Sequence, residues 1–204
     1  YYTVNEEYNG TSWTEVTDIP TASESGMGVG TQTASLMVGG YTGSYITNSF
    51  SYDGSSWTAA TAFPVAVGGG SSSGTSTSSL FYGYYDDPVP GASVNTQEWD
   101  GTSWTEVNNL STARNDGSSP KGAGSTKLTG LLGGGFNNTT GTNVSEEWSF
   151  PSTPGVQLGQ VWVNSASGTL KGHAAQGTGA WASGGNLNTA RREPAPAGTQ
   201  TANI

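Results

Sequence analysis

The chain alternates short apolar or aromatic runs with glycine, serine and threonine, and no run is long. Ser35-Leu36-Met37-Val38, Leu80-Phe81-Tyr82 and Leu131-Leu132 each end on glycine: Gly39-Gly40, Gly83 and Gly133-Gly134. Such runs predict short strands buried on both faces, with glycine where the chain turns sharply. A second set pairs acids or polar residues with aromatics: Asn5-Glu6-Glu7-Tyr8, Ser49-Phe50-Ser51-Tyr52, Thr96-Gln97-Glu98-Trp99 and Ser145-Glu146-Glu147-Trp148. Three of these lead into Asn9-Gly10, Asp53-Gly54 or Asp100-Gly101, and then into Trp13, Trp57 or Trp104. Asn-Gly and Asp-Gly suit type I′ hairpin tips, so each Trp opens a return strand. No 3.6-residue apolar stripe persists, and glycine is too frequent for helix.

The tryptophan spacings are 44 residues (13 to 57) and 47 (57 to 104). With a small-residue segment before each apolar run (Gly26 to Gly30, Gly68 to Ser71, Gly117 to Ser119), every period holds four strands. A repeat of this length is one supersecondary unit set around a ring or along a rod, and four strands per period is the blade of a β-propeller. Trp13, Trp57 and Trp104 are expected in matching niches where neighbouring units pack. Trp181, after Gly179-Ala180, resumes the pattern.

The order of motifs resembles the Kelch repeat: apolar strand, diglycine, aromatic residue with an Asp/Asn-Gly turn, then Trp. More closely it is similar to a Kelch-like variant of marine bacteriophage virion proteins. That likeness rests on Asn186-Leu187-Asn188-Thr189-Ala190-Arg191, its degraded copy Asn109 to Arg114, and the two copies Gly30-Thr31-Gln32-Thr33-Ala34 and Gly198-Thr199-Gln200-Thr201-Ala202. It implies an all-β, Kelch-like β-propeller of about four blades, or part of a larger or tandem one, placed in a tail fibre or similar appendage.

Residues 1–150 carry the blades. In 151–177 the repeat is replaced by a segment opened by Pro151 and Pro154, in which 159–171 reads as an inserted hairpin similar to short β modules of tail-fibre proteins. Residues 178–204 read as a further half-blade able to close the ring with residues 1–18. Chain ends that left such half-blades unpaired would expose sheet edges open to exchange between copies.

The net charge is −9, with three Arg and three Lys, which leaves no basic face for nucleic acid or an anionic membrane. No apolar run reaches a membrane span, and the absence of a starting Met suggests an upstream segment. With no cysteine and one histidine, His173, neither thiolate metal sites nor His-rich ones form. Neighbouring members of Glu6-Glu7 and Glu146-Glu147 point to opposite faces of a strand, so they do not converge as a catalytic pair. Asp86-Asp87 reads as a solvated turn before it reads as a Ca²⁺ site. The Ser51 to Trp57 stretch is similar to the Asp box of sialidase-type propellers, one residue short, without the arginine triad such an enzyme uses.

No catalytic residue, cofactor or metal is therefore expected. The candidate contact residues are loop aromatics and amides, Tyr41, Tyr45, Tyr84, Tyr85, Phe136, Asn137 and Asn138, whose ring faces and amides suit sugars. The preferred reading is a non-enzymatic virion or extracellular protein that contacts other virion proteins, identical subunits or a host-surface glycan. The alternatives are a secreted lectin or glycan-active enzyme, and a module that polymerises by half-blade exchange.

Overall fold

A computed structural model describes residues 1–87, 91–115 and 121–149, together with the strands Val161–Asn164, Thr169–Gly172 and Ala180–Ser183. Among these residues every regular element is β and every pairing between strands is antiparallel. Nineteen strands form small separate sheets. In chain order they are β1 (Asn5–Tyr8), β2 (Trp13–Val16), β3 (Met27–Thr31), β4 (Ala34–Val38), β5 (Ser49–Tyr52), β6 (Trp57–Ala59), β7 (Val67–Gly68), β8 (Ser71–Thr75), β9 (Ser78–Tyr82), β10 (Tyr85–Asp86), β11 (Gly91–Ala92), β12 (Thr96–Trp99), β13 (Trp104–Val107), β14 (Lys121–Thr126), β15 (Thr129–Gly133), β16 (Ser145–Ser149), β17 (Val161–Asn164), β18 (Thr169–Gly172) and β19 (Ala180–Ser183).

Three sheets have four strands: β3-β4-β5-β6, β8-β9-β12-β13 and β14-β15-β16-β19. β1 and β2 form a two-stranded sheet matching the last two strands of the others, and the described sheets do not join into a closed ring. β17 pairs with β18 alone. β19 is the fourth strand of the third full sheet rather than the start of a further one, because Trp181 takes the register position opposite Trp148 that Trp104 takes opposite Trp99. Residues 184–204, which carry the rest of the expected half-blade, and His173 lie outside the described residues.

Within a sheet the third and fourth strands are fixed by an aromatic cross-strand pair. Tyr8 and Trp13, Tyr52 and Trp57, and Trp99 and Trp104 sit opposite one another with ring centroids 5.1, 4.8 and 4.6 Å apart. The tip between them is not the expected type I′ turn. Gly10, Gly54 and Gly101 have φ near +95°, but the Asn or Asp before them does not have positive φ. That side chain is used differently. Asp53 Oδ1 accepts from the backbone N–H groups of Ser55 and Ser56 at 2.8 Å, and Asp100 Oδ1 accepts from those of Thr102 and Ser103 at 2.8 Å. The result is a four-residue loop clamped by its own first side chain. These bonds favour the carboxylate and pull the Asp53 pKa down to about 2; Asp100 is lowered by the same cause.

The first strands are poor in side chain because they crowd together. Ser72 Oγ donates to the Gly28 carbonyl of the neighbouring sheet at 2.6 Å, and a Cβ on Gly124 would stand 3.0 Å from that of Ser73. β3, β8 and β14 thereby line a common cavity of about 450 Å³. The second strands supply the core on either side of the middle sheet. Leu36, Val38, Phe63, Val67 and Phe81 fill the space between the first and second full sheets; Leu80, Tyr82, Leu110, Leu132 and Trp148 fill that between the second and third.

Equivalent residues lock the first full sheet to the β1–β2 pair and the second full sheet to the first. Trp57 Nε1 donates to the Thr17 carbonyl at 3.1 Å, and Trp104 Nε1 donates to the Thr61 carbonyl at 2.9 Å. Thr17 and Thr61 return the contact by donating Oγ1 to Ser55 and Thr102 carbonyls in the following loop. The matching-niche expectation thus holds for Trp57 and Trp104, both half-buried, but not for Trp13, which is 65% exposed. No described sheet lies on the side of β2 where such a threonine would stand.

Candidate functional site

The second strands end on glycine corners that turn the chain out to one end of the sheets. Gly39 and Gly40 have φ of +65° and +117°, and a Cβ on Gly39 would meet the Val67 carbonyl oxygen at 2.3 Å. In the third sheet the corner is Gly134-Gly135, at +74° and +105°. Gly133, expected at the corner, instead closes β15 opposite Ser145. In the middle sheet Gly83 supplies the first corner position at +60°. Tyr84 fills the second and turns inward, fully buried against Phe63 (5.4 Å between rings), so it is a core residue rather than a surface contact. Burial, then the nearby Asp86 carboxylate, hold its phenol above the ordinary range.

The residue after each corner occupies one repeated position: Tyr41, Tyr85 or Phe136. Each bridges to the preceding unit, at Glu24, Gly68 or Asn115, and to its own loop, at Tyr45, Ala92 or Gly141. This ladder sets the rings in a row. Tyr45 stacks on Tyr85 at 4.5 Å with an interplanar angle of 23°. The stack forms because Gly68 has no side chain; a Cβ there would lie 2.7 Å from Tyr45 Cε1. Tyr41 meets Tyr45 edge-on at 5.1 Å, and Tyr1 meets Tyr41 edge-on at 6.1 Å. Tyr41, Tyr45 and Tyr85 are half-buried and Tyr1 is 55% exposed, so the row presents ring surface to solvent.

Tyr1 was not among the expected contact residues, since nothing local marks it; it joins through the contact of its ring with Tyr41. Burial, then Glu24 and Tyr41, raise its phenol pKa. Thr42 and Ser44 lie on the loop between the tyrosines.

The amide candidates are held differently. Asn137 Oδ1 accepts from the N–H groups of Thr139 and Thr140, closing its own turn. Asn138, at φ +71°, accepts at Oδ1 from Ala92 N–H (2.8 Å) and from Asn115 Nδ2 (3.3 Å), pinning its loop to the middle sheet. Phe136 is half-buried at the same loop. The structure thus brings Tyr41, Tyr45 and Tyr85 together and gives Asn137 and Asn138 internal work.

Asp86 is not the solvated turn residue expected. It is 8% exposed on β10, with Oδ1 buried and unpartnered among the described residues; burial, then Asp87, raise its pKa. Among the described residues no group of three or more His, Asp or Glu side chains is arranged around a metal-sized space. At the other end of the sheets a groove of about 680 Å³ runs between the first and second full sheets, past Thr33, Asp53, Ser76, Trp99 and Thr102.

Glu146 occupies the repeat position that is exposed at Glu6, and here it is buried. It is fully buried and ion-paired with the fully buried Arg114 Nη2, and its Oε2 accepts from Ser111 N–H at 2.8 Å. Arg114 also donates through Nη1 to the Val144 and Gly134 carbonyls and through Nε to that of Thr112. Burial lowers the guanidinium pKa and Glu146 opposes that shift. The pair is a latch between the second and third full sheets.

No family model matches the chain, and no curated protein matches it. Among solved structures it is similar to the one described as "Structure of YjhT", with a TM-score of 0.55 and 14% identity over 69% of this chain and 47% of that one. The chain spans about half the length of that protein, and what the two have in common is the fold.

Proposed function

We propose that the chain is part of a Kelch-like β-propeller that serves as a contact module, not a catalyst, in a virion appendage such as a tail fibre. In this reading its tyrosine-rich end meets a host-surface glycan. The ring reading is supported by three four-stranded sheets whose first strands line one cavity and by the repeated Trp-to-Thr clamp between sheets. The virion reading rests on the repeat resemblance.

The observation that carries the contact role is the ring row Tyr1, Tyr41, Tyr45 and Tyr85. Four phenols in mutual contact offer a rigid apolar platform for the C–H face of a sugar, while phenol hydroxyls and the Thr42 and Ser44 side chains supply hydrogen bonds. Such rings lose little conformational freedom on binding because they already pack on one another.

The test is binding to a glycan array and adsorption to host cells, with the triple variant Tyr41→Ala, Tyr45→Ala, Tyr85→Ala as comparison and thermal unfolding as the check on folding. Loss of binding in a folded triple variant supports the proposal. Binding that survives in it removes the tyrosine row from the contact. Turnover of a fluorogenic glycoside panel would replace the non-catalytic reading with an enzymatic one.

A further inference from the structure

We infer that the groove between the first and second full sheets is a second ligand site, shaped for a short, uncharged oligosaccharide. It lies at the opposite end of the sheets from the tyrosine row, and neither site depends on the other.

The repeat shows why the groove is open. In each full sheet the first two strands meet in a two-residue turn. Gln32-Thr33 follows the pair Thr31 and Ala34, Ser76-Thr77 follows Thr75 and Ser78, and Lys127-Leu128 follows Thr126 and Thr129. Gln32, Ser76 and Lys127 therefore occupy one position. Two of them reach the third strand of the preceding sheet. Gln32 Nε2 donates to the Tyr8 carbonyl at 2.9 Å, and Lys127 Nζ pairs with Glu98 Oε1 at 2.6 Å. Ser76 ends at its hydroxyl, too short for that span, and lines the groove instead.

The receiving strand differs at the matching place. Glu7, Ser51 and Glu98 stand opposite Thr14, Thr58 and Thr105 of the fourth strands, so Ser51 holds the position of the glutamate that Lys127 meets. Ser51 Oγ lies 3.4 Å from the Thr58 carbonyl of its own sheet and also lines the groove. Where the next interface has a lysine–glutamate bridge, this one has two serines and a space of about 680 Å³. That volume falls within the range of about 300–1,000 Å³ of small-molecule sites.

The lining sets the chemistry of the occupant. Thr33 and Ser51 on one wall face Ser76 and Thr77 on the other, and a hydroxyl both donates and accepts, as sugar hydroxyls require. Ala59 and Ala60 add apolar surface for sugar C–H groups. Asp53 is the only charged side chain on the lining, and both its oxygens already accept from Ser55 and Ser56. An anionic ligand would find no counter-charge there, and a cation would have to compete for a carboxylate already satisfied. A neutral polyol meets neither obstacle.

Isothermal titration of the full chain with neutral trisaccharides of glucose, galactose, mannose and xylose measures the binding. Sialyllactose and hexalysine serve as anionic and cationic comparisons. The double variant Ser51→Glu, Ser76→Lys rebuilds the bridge of the next interface inside the groove. Ala59→Arg narrows the groove from the first sheet by a separate route, and thermal unfolding checks that each variant folds. At least one neutral trisaccharide should bind the parent. Its dissociation constant should rise about tenfold or more in both variants, the worth of one or two hydrogen bonds lost with the space. Binding should be unchanged in the triple variant Tyr41→Ala, Tyr45→Ala, Tyr85→Ala, even where that variant no longer adsorbs to host cells. Undiminished binding in a folded groove variant overturns the inference, as does a parent that binds no neutral trisaccharide. Tighter binding of sialyllactose or hexalysine overturns it by assigning a charged occupant. Loss of the trisaccharide in the tyrosine variant alone would put the sugar on the tyrosine row, leaving the contact reading standing and the groove without its ligand.

Discussion

Arg114→Met tests how the second and third full sheets are held together. The substitution keeps most of the side chain's length and removes its charge and all its donors. Glu146 loses its ion-pair partner and remains fully buried, with Ser111 N–H as its other bond. The carbonyls of Gly134, Val144 and Thr112 lose a donor as well. Removing one member of a buried pair costs about 3–5 kcal/mol, because the charge left behind is neither hydrated nor compensated. Against a total of about 5–15 kcal/mol for a folded domain, that is a large share.

The companion is the double variant Arg114→Met, Glu146→Leu, which removes the stranded charge and fills the same space with apolar atoms. It should lie within about 2 kcal/mol of the parent, since replacing a whole buried pair is often near neutral. Urea unfolding followed by tryptophan fluorescence measures both. A single variant that loses less than about 1 kcal/mol, or a double variant as unstable as the single, would show that the latch does not work as described.

Other outcomes follow from the same structure. Gly39→Ala should destabilise by about 2 kcal/mol or more, from positive φ and the Val67 carbonyl in its path, while Gly10→Ala, with nothing within 4 Å, should cost only the backbone strain of about 1–2 kcal/mol; thermal melts of the two decide it. The Asp53 loop should weaken in acid. Its folded pKa of about 2 lies below the unfolded value of about 3.9, so its contribution is complete above pH 4 and fades as pH falls toward 2; Asp53→Asn, which keeps the acceptor oxygen, should flatten that part of a melting-temperature profile. Asp86 has the opposite sign. Its folded pKa is raised, so the folded state binds the extra proton and gains stability as pH falls through that pKa toward the unfolded value; Asp86→Asn should raise the melting temperature at pH 7.

What could be read from the sequence was local. Asx-Gly followed by Trp marks the pairing of third and fourth strands because turn and partner lie within nine residues, as in Tyr8 to Trp13. The glycine corners were legible for the same reason, except where Leu131-Leu132-Gly133-Gly134-Gly135 offers two phases; only the pairing of Gly133 with Ser145 chooses between them. Contacts between sheets were not legible. Arg114 and Glu146 are 32 residues apart, and neither neighbourhood signals burial. The turn type was misread because Asp53 and Asp100 bond with their side chains instead of adopting positive φ.

In the candidate site the tyrosines were visible as a cluster in the chain. Which of them point outward was not. Tyr84 occupies a position that is glycine in the other two sheets and is drawn into the core beside Phe63, while Tyr85, its neighbour, stacks on Tyr45. Asn138 has the composition of a sugar-binding residue and spends its carbonyl on Ala92 and Asn115.

The central claim of the proposed ring is that the three full sheets are related by rotation about one axis, the first two clamped to their predecessors by Trp57 and Trp104. Crystallographic structure determination measures this directly. Superposing the first full sheet on the second, and the second on the third, should give two similar rotations about an axis through the cavity lined by β3, β8 and β14, with Trp57 and Trp104 donating to Thr17 and Thr61. Two pure translations, or indoles of Trp57 and Trp104 in unlike surroundings, would contradict it.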